Sequence, residues 1–286
     1  MPPSLPTPIV SPDWLIQHLD HSSIVVIDAS WHMPDTGRKG ADDFAARHIP
    51  GARFFDIDAI SDTLSPYPHM LPAPADFAAT IGALGIGNDS LVIIYDDSAV
   101  RSAARLWWSL RAMGHDTVAV LSGGLAGWIA AGGTVTDMPS QITPRTFVPD
   151  FRPGLVRSRT DVLTAIGNTQ ILDARAAARF EGSAPEPRPG LRSGHIPGAR
   201  NLPFGQLFNS DGHLKSADDL QSAFDAAGID TSAPVITSCG SGITASVLAL
   251  GLATLGRHDT AVYDGSWTEW GSDPDLPLET GAASTK

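Results

Sequence analysis

The run His-Ile-Pro-Gly-Ala-Arg occurs twice in this chain, at residues 48–53 and again at residues 195–200. Chance could supply one shared hexapeptide, but three further pairs of similar segments follow in the same order in the two halves. Matched positions lie roughly 145 residues apart, whereas the repeats of solenoid proteins are about 20–50 residues long. The sequence therefore indicates a tandem duplication of one whole domain, so that both halves must fold in the same way.

The chain length and a proline-rich segment define the two predicted domains. A chain of 286 residues is long for one simple core and natural for two. Four prolines between residues 137 and 154 disfavour helices and central strands. We predict a first domain over residues 1–138, an extended linker over 139–154 and a second domain over 155–286. The other matched segments are VVIDAS with QILDAR, residues 91–117 with 234–260, and AVLSGGLAGW with AVYDGSWTEW.

Within each half, short apolar runs rich in β-branched residues alternate with segments of helical spacing. Such near-continuous apolar runs are typical of parallel strands buried on both faces. We therefore predict an α/β fold of tandem domains, each a mostly parallel sheet flanked by helices, with ligands beyond the carboxyl ends of the strands. The predicted strands are Ile24–Ala29, Leu91–Tyr95, Val118–Leu121, Ile171–Ala174, Val235–Ser238 and Ala261–Tyr263, and ADFAATIGALGI and DDLQSAFDAAGI are predicted helices.

The single cysteine, Cys239, directly follows one of these predicted strands. Gly240 and Gly242 allow the backbone after it to curl and to turn its N–H groups inward. Together with the positive end of the following helix, such a turn forms an anion cradle. The cradle suits a thiolate or a persulfide, and it predicts a lowered thiol pKa and a nucleophilic cysteine. The alternative is a buried structural cysteine, which the cysteine count alone favours.

The repeat supplies an internal control for this interpretation. At the position that matches Cys239, the first half has Asp96, in the run YDDSAVRS. One half therefore has a candidate nucleophile and the other has none. We predict that the first domain is a non-catalytic partner that shapes the cleft.

These features together resemble the two-domain sulfurtransferases of the rhodanese superfamily, and the resemblance covers nearly the whole chain. It rests on the repeat, the two HIPGA runs, the cysteine loop and the YDGSWTEW segment. The cysteine loop is most similar to that of 3-mercaptopyruvate sulfurtransferases, although valine is commoner at the position of Ile243. Thiosulfate-preferring members have basic residues just after the cysteine. The resemblance implies Cys239 as the nucleophile and substrate binding by the loop residues Gly240, Gly242, Ile243 and Thr244.

Two arginines, Arg179 and Arg188, lie nine residues apart in a segment rich in proline and glycine. A guanidinium group matches a carboxylate with two hydrogen bonds, so the pair suits the carboxylate and carbonyl oxygens of a 2-oxo acid. The resemblance assigns that role to these two positions. The alternative is a pair of surface arginines bound to Glu181 or Glu186.

Three further residues are predicted to act in catalysis. Ser241 lies two residues after the nucleophile, and its hydroxyl could relay a proton; in the family such a serine is proposed to act in a Cys-Ser-Asp relay. The matching acid is Asp58, with His69 eleven residues later, and both come from the first half of the sequence. The alternatives are a turn serine, a helix cap and a hydrogen-bonded loop histidine.

Charge, cysteine content and motifs exclude several other classes. A formal net charge of −12 argues against a general nucleic-acid binder. A single cysteine forms no intramolecular disulfide, and the start MPPSLPTPIV lacks the features of a signal peptide, so we expect a cytoplasmic protein without a membrane span. The histidines show no metal-binding spacing, and no phosphate-binding or dinucleotide motif is present, so we expect no metal and no cofactor.

The sequence thus predicts an enzyme that works by double displacement. Cys239 takes sulfur from 3-mercaptopyruvate, pyruvate leaves, and the resulting persulfide passes its sulfur to cyanide or to a thiol acceptor such as thioredoxin or a small thiol. Thiosulfate is the alternative donor. A cysteine phosphatase is a lesser alternative, because Ala245 and Ser246 stand where a closing arginine is needed. A sulfur-carrying binding module without turnover is another.

Overall fold

A computed structural model describes residues 3–6 and 8–283 of the chain. Contacts between α-carbons divide it into two compact units. Each unit includes one short segment that lies in the other half of the sequence. Unit 1 comprises the chain up to Thr63, Leu71–Arg152 and Ser210–Leu214, and unit 2 comprises Leu64–Met70, Pro153–Asn209 and the chain from Lys215 onwards.

Each unit contains one five-stranded sheet whose described strand pairs are all parallel. The strands of unit 1 are β1 (Ile9–Val10), β2 (Ile24–Asp28), β3 (Arg53–Phe54), β4 (Leu91–Tyr95) and β5 (Val118–Leu121), in the order β1-β5-β4-β2-β3. Those of unit 2 are β6 (Val156–Arg157), β7 (Gln170–Asp173), β8 (Arg200–Asn201), β9 (Val235–Ser238) and β10 (Ala261–Tyr263), in the order β6-β10-β9-β7-β8.

The two strand orders are the same, and the predicted α/β fold of tandem parallel sheets is confirmed. The six strands predicted from apolar runs are the three central strands of each sheet. The edge strands β1, β3, β6 and β8 were not predicted, because two residues are too few to make a hydrophobic pattern.

Helices flank each sheet, and polar caps fix several of their starts. Ser11 accepts the backbone N–H of Trp14, and Ser158 forms a reciprocal capping box with Asp161. In the described part of the chain, no helix has both the length and the apolar character that a membrane crossing needs. The helices are α1 (Pro12–His18), α2 (Gly40–Ala46), α3 (Pro74–Ala83), α4 (Ala103–Ala112), α5 (Gly124–Ala130), α6 (Arg159–Ala165), α7 (Ala177–Phe180), α8 (Ala217–Ala226), α9 (Ile243–Thr254) and α10 (Ser266–Ser272).

The repeated histidine has the same structural role in both units. The Nδ1 atom of His48 bonds to the carbonyl oxygen of Phe44 at 2.7 Å, and the two rings stack. The Nδ1 atom of His195 bonds in the same way to the carbonyl oxygen of Phe180 at 2.8 Å, again with stacked rings. Both histidines are buried. The two histidines fix the turn before each short edge strand. Among the described residues, no group of side chains is arranged to hold a metal ion.

The proline-rich segment contains neither helix nor strand from residue 137 to residue 152, and it lies along unit 1. Its backbone is tied to unit 1 by a hydrogen bond from Arg145 N to the carbonyl of Gly82, and by two bonds between Asn88 and Val148. Phe147 is buried and packs edge-on against Phe77. The linker therefore lies on the surface of unit 1, and Phe147 anchors it in the core.

Candidate active site

Cys239 lies in a four-residue turn, residues 239–242, between β9 and the start of α9. Its side chain is buried, and its Sγ accepts a hydrogen bond of 3.1 Å from the backbone N–H of Gly242. Gly242 has φ of +81°, a left-handed conformation that favours glycine, and it caps the amino terminus of α9. The sulfur therefore lies beside an inward-pointing N–H group at the positive end of a twelve-residue helix.

Gly240 has a different structural role from the one expected from the sequence. It is absent from the left-handed region that Gly242 occupies, so the curl of the turn depends on Gly242. A Cβ atom at position 240 would lie 3.3 Å from Nη2 of Arg179. Glycine at this position leaves room for the Arg179 guanidinium, which a side chain would push aside by a few tenths of an ångström.

Ser266 is a residue of the site that sequence reasoning missed. Its Oγ accepts the backbone N–H groups of Cys239 at 3.2 Å and Gly242 at 3.1 Å, donates to the carbonyl of Tyr263, and lies 3.9 Å from the Cys239 sulfur. Its backbone is left-handed, with φ of +50°, which is unusual for a residue other than glycine. The one sequence signal for this residue was the repeat, which matches Ser266 with Gly124. In the structure both residues have positive φ.

Helix α10 fixes the other side of the cysteine turn. The backbone N–H of Trp267 donates to the carbonyl of Cys239 at 2.9 Å, and the hydroxyl of Thr268 donates to the carbonyl of Gly240 at 2.6 Å. The YDGSWTEW segment thus binds the turn directly, which explains why the two motifs occur together.

Arg179 extends towards the turn from α7 and is bound to a buried carboxylate. Its Nε and Nη2 donate to Glu186 at 3.3 and 2.5 Å, and the Glu186 side chain is only 2% exposed. Glu186 also accepts Nη1 of Arg175 at 2.8 Å. Pairing of Arg179 with Glu186 was the structural alternative in the sequence, and the structure contains this pair. Arg179 binds Glu186 and approaches Gly240 at the same time, because Glu186 orients the Arg179 guanidinium towards the turn.

Arg175 is a structural arginine. Its guanidinium donates to both carboxylate oxygens of Asp173 and lies over the Trp267 ring at 4.4 Å. Burial by itself lowers the pKa of Arg175, but the charges of Asp173 and Glu186 outweigh burial and raise it above the usual value. Arg175 therefore stays charged and anchors Glu186.

The other two arginines of this segment differ from each other. Arg192 donates to the carbonyl oxygens of Trp270, Gly271 and Leu276, so it holds the end of α10. Arg188 is half-buried in the loop after Glu186, and its predicted role in substrate binding stays a prediction.

Ser241 and His69 meet inside unit 2. The Ser241 hydroxyl lies 2.9 Å from Nδ1 of His69, and both side chains are buried. His69 belongs to the segment Leu64–Met70, which is part of unit 2 although it comes from the first half of the sequence. Its backbone is left-handed, with φ of +63°. The structure thus brings together two of the predicted catalytic residues.

Asp58 belongs to unit 1, where its Oδ2 accepts the indole N–H of Trp31 at 2.9 Å. The turn that follows is capped by Asp56, whose Oδ1 accepts the N–H groups of Asp58 and Ala59. Asp58 is therefore not the cap that the alternative interpretation proposed. Its part in proton transfer stays a prediction. The remaining predicted residues, Ile243 and Thr244, form the first turn of α9 behind the cysteine.

The matching turn of unit 1 is organised around a carboxylate. Asp96 accepts the N–H of Ala103 at 2.7 Å and that of Ser98 at 3.2 Å, and it is 5% exposed. Burial raises the pKa of Asp96 to about 6. The cradle of unit 1 is thus filled by a side chain of the turn itself, which leaves this unit without a nucleophile at the matching position.

Comparison with known proteins agrees with this geometry. The model of the rhodanese-like domain family matches the chain twice, over residues 11–131 and 158–273. The 3-mercaptopyruvate sulfurtransferase of Escherichia coli K12 is 45% identical over 94% of this chain and 97% of its own length. The thiosulfate sulfurtransferase of Cricetulus griseus is 42% identical over 92% of this chain and 91% of its own. The crystal structure of SseA from Escherichia coli has a TM-score of 0.83 at 43% identity, covering 91% of this chain and 98% of that one.

The chain belongs to the rhodanese-like domain family, as a tandem pair of such domains. Both repeats match the family, and the similarity extends over nearly the whole chain, including the cysteine turn of the second repeat. It is a sulfurtransferase.

Proposed function

We propose that this sulfurtransferase takes sulfur from 3-mercaptopyruvate and carries it as a persulfide on Cys239. The thiolate attacks the sulfur of the donor, the carbon–sulfur bond breaks with its electron pair, and pyruvate leaves as an enolate that takes up one proton. A thiol acceptor or cyanide then attacks the outer persulfide sulfur and restores the thiolate. The hydrogen bond from Gly242 to Sγ supports this role, because the same N–H would stabilise negative charge on a sulfur at this place.

The proposal that 3-mercaptopyruvate is the donor depends mainly on Arg179. Its guanidinium lies next to Gly240, so a 2-oxo carboxylate bound there would have its sulfur near Cys239. We propose Arg188 as the second carboxylate-binding arginine. Charge on the oxygen of the leaving enolate grows in the transition state, so an arginine at that oxygen lowers the barrier. The loop residues Gly240, Gly242, Ile243 and Thr244 are proposed to form the floor of the substrate site.

Ser241 and His69 supply a proton route in this proposal. Their 2.9 Å contact joins the turn to an imidazole, the side chain whose ordinary pKa is closest to neutral pH. In this proposal a proton held between them passes to the carbon of the leaving enolate. Asp58 is proposed as the acid that completes the relay.

Thiosulfate is the second candidate donor, because a relative of similar identity is named for it. The turn favours 3-mercaptopyruvate, since neither Gly240 nor Ser241 offers charge to a sulfite leaving group. A side chain at position 240 would moreover crowd Arg179, whose Nη2 lies 3.3 Å from that Cβ position.

The domain roles follow from the two turns. We propose that residues 1–138 form a non-catalytic domain, that 139–154 link the domains, and that 155–286 form the catalytic domain. A cytoplasmic location is proposed because the lone thiol must remain reduced to accept sulfur.

Donor kinetics test the proposal. We expect a higher kcat/KM for 3-mercaptopyruvate than for thiosulfate with a shared acceptor. Arg179→Leu and Arg188→Leu should each lower kcat/KM for 3-mercaptopyruvate by roughly ten- to a hundredfold, since a hydrogen bond to a charged group is worth about 1.5–3 kcal/mol. Arg257→Leu, which removes a surface arginine paired with Asp259, is the matched control. Faster turnover of thiosulfate by the wild type would overturn the donor assignment but not the persulfide chemistry.

A further inference from the structure

The carbonyl of Gly240 accepts two hydrogen bonds from one residue, Thr268. The backbone N–H of Thr268 donates to it at 2.9 Å, and the Thr268 hydroxyl donates at 2.6 Å. One residue earlier, the carbonyl of Cys239 accepts the N–H of Trp267 at 2.9 Å. Both N–H groups belong to the first turn of α10, where backbone donors have no partner within the helix. The cysteine turn therefore caps α10, and two of its carbonyl groups face that helix.

The direction of these carbonyl groups fixes the direction of the N–H groups that follow them. In the planar trans peptide between Gly240 and Ser241, the N–H points opposite to the carbonyl that Thr268 holds. The N–H of Ser241 therefore faces the side of the turn away from α10. Among the described residues, none accepts a hydrogen bond from this N–H, although Ser241 is buried. A buried donor of this kind gains most from an acceptor that arrives with the substrate.

The matching peptide of unit 1, between Asp97 and Ser98, has different partners. Its N–H donates at 3.2 Å to the carboxylate of Asp96, so this donor is used within the turn itself. Its carbonyl lies 3.5 Å from Nη1 of Arg38. In the described part of the chain, no hydrogen bond joins that carbonyl to α5. The same peptide is therefore held by α10 in unit 2 and released from the equivalent helix in unit 1.

A single side chain accompanies this difference. The third residue of the helix is Thr268 in α10, and it is Ala126 in α5. The bond one residue earlier is the same in both units, since the N–H of Leu125 donates to the carbonyl of Asp96 at 3.0 Å. Both helices thus lie against the turn, and unit 1 lacks the hydroxyl that reaches the next carbonyl in unit 2.

We propose that Thr268 is a positioning residue for sulfur transfer. Its hydroxyl keeps the Gly240 carbonyl on the α10 side of the turn, and this directs the Ser241 N–H at the outer sulfur of a persulfide on Cys239. Glycine at position 240 allows the peptide to turn over, which would put a carbonyl oxygen where the N–H is needed. The second hydrogen bond to the carbonyl opposes that rotation. This inference rests on the persulfide of the proposed function.

The outer sulfur gains its negative charge during the transfer. The Cys239 thiolate attacks the donor sulfur, a new S–S bond forms, and the bond from that sulfur to the rest of the donor breaks with its electron pair. With 3-mercaptopyruvate, the outer sulfur gives up its proton while the enolate takes one up, so the persulfide is left as an anion. A hydrogen bond to this sulfur is therefore stronger in the transition state than with the donor bound. Its loss lowers the maximal rate and leaves donor affinity unchanged.

Single-turnover formation of the persulfide, followed by intact mass with 3-mercaptopyruvate, tests this consequence. Thr268→Val and Thr268→Ala should each lower the maximal rate roughly fivefold, at an unchanged half-saturating donor concentration, as expected for the loss of one hydrogen bond. Thr268→Ser retains the hydroxyl and should restore the wild-type rate. The Gly240 carbonyl keeps its backbone donor in every variant, so folding should be preserved. Thr254→Val, which removes a hydroxyl that donates to the carbonyl of Leu250 within α9, is the matched control.

Amide NMR tests the geometry without an organic donor. Inorganic polysulfide loads Cys239, and the Ser241 amide proton should then shift downfield in the wild type, because a hydrogen bond to a charged acceptor is short and strong. The shift should be at least halved in Thr268→Val.

Three results would overturn the inference: an unchanged maximal rate in both Thr268→Val and Thr268→Ala, a change confined to the half-saturating concentration, or an equal Ser241 shift with and without the hydroxyl. Sulfur transfer by Cys239→Ser would instead overturn the proposed function together with this inference.

Discussion

The turn after the central strand differs between the two units, although the strand orders are the same. In unit 2 four residues separate the end of β9 from the start of α9 at Ile243, and in unit 1 seven residues separate the end of β4 from the start of α4 at Ala103. The chain lengths match across the repeat, so in unit 1 the first turn of the helix is unwound. Arg101, within the unwound turn, has φ of +56°.

The difference shows how one fold can either present or bury an anion site. In unit 2 the early start of α9 brings an N–H group to the Cys239 sulfur. In unit 1 the carboxylate of Asp96 takes the N–H groups of Ser98 and Ala103 for itself. The two units therefore differ in one turn, whereas the strand order of the sheet that supports the turn is the same.

Of the changes predicted here, removal of the Cys239 thiol should lower sulfur transfer the most. Cys239→Ser is expected to lower sulfur transfer by about 10⁴-fold or more, because a hydroxyl cannot carry a persulfide. Intact mass after exposure to 3-mercaptopyruvate should show one added sulfur on the wild type and none on the variant. Asp96→Ser, which places serine at the matching position of unit 1, should keep the sulfur-transfer turnover of the wild type. Persistent turnover by Cys239→Ser would rule out Cys239 as the carrier.

The buried carboxylate of unit 1 should make stability depend on pH. Burial raises the pKa of Asp96 from 3.8 to about 6, so the folded state binds its proton more tightly than the unfolded state. The stabilisation is complete below pH 3.8 and is lost as the pH rises through 6, a change of about 3 kcal/mol. Urea unfolding at pH 4 and pH 7 should show this difference in the wild type relative to Asp96→Asn. Equal pH dependence of the two proteins would contradict the assignment.

Ser266→Gly gives unit 2 the residue that unit 1 has at the matching position. It removes the hydroxyl that accepts the N–H groups of Cys239 and Gly242, and it relieves the left-handed strain of a serine. We expect kcat/KM to fall roughly fivefold, since a typical hydrogen bond is worth about 1 kcal/mol, with little change in the free energy of unfolding. Ser266→Ala keeps the strain and should be less stable than Ser266→Gly. Full activity in both variants would show that the Ser266 hydroxyl does not contribute to sulfur transfer.

The smallest effect is expected from a thiol placed in unit 1. Asp96→Cys in a Cys239→Ser background should restore no turnover, because the run DSAVRS lacks the Gly-x-Gly curl of the cysteine turn, so its N–H groups should not converge on the sulfur. Persulfide stoichiometry after exposure to the donor measures this directly. One full sulfur equivalent at position 96, with turnover, would show that the conformation of this turn does not prevent sulfur transfer in unit 1.

Much of the fold was predictable because the repeat and the apolar strands are local patterns. The six central strands, the parallel sheets and the cysteine turn between β9 and α9 all follow from contiguous runs of residues. The two-residue edge strands do not, since they are fixed by pairing with a neighbour. Arg179 was a candidate from its loop, but its bond to Glu186 depends on the path of the loop between them.

What the sequence by itself determined is the duplicated α/β architecture, the single cysteine and its glycine turn, because hydrophobic period and glycine conformation act over a few neighbouring residues. Only the tertiary structure decided that Ser266 holds the turn, that His69 joins Ser241 in unit 2, and that Gly240 makes room for Arg179. These contacts join residues far apart in the chain, and their free energies depend on distances of a few tenths of an ångström. No local pattern encodes such distances, since they arise when the sheet and its helices pack.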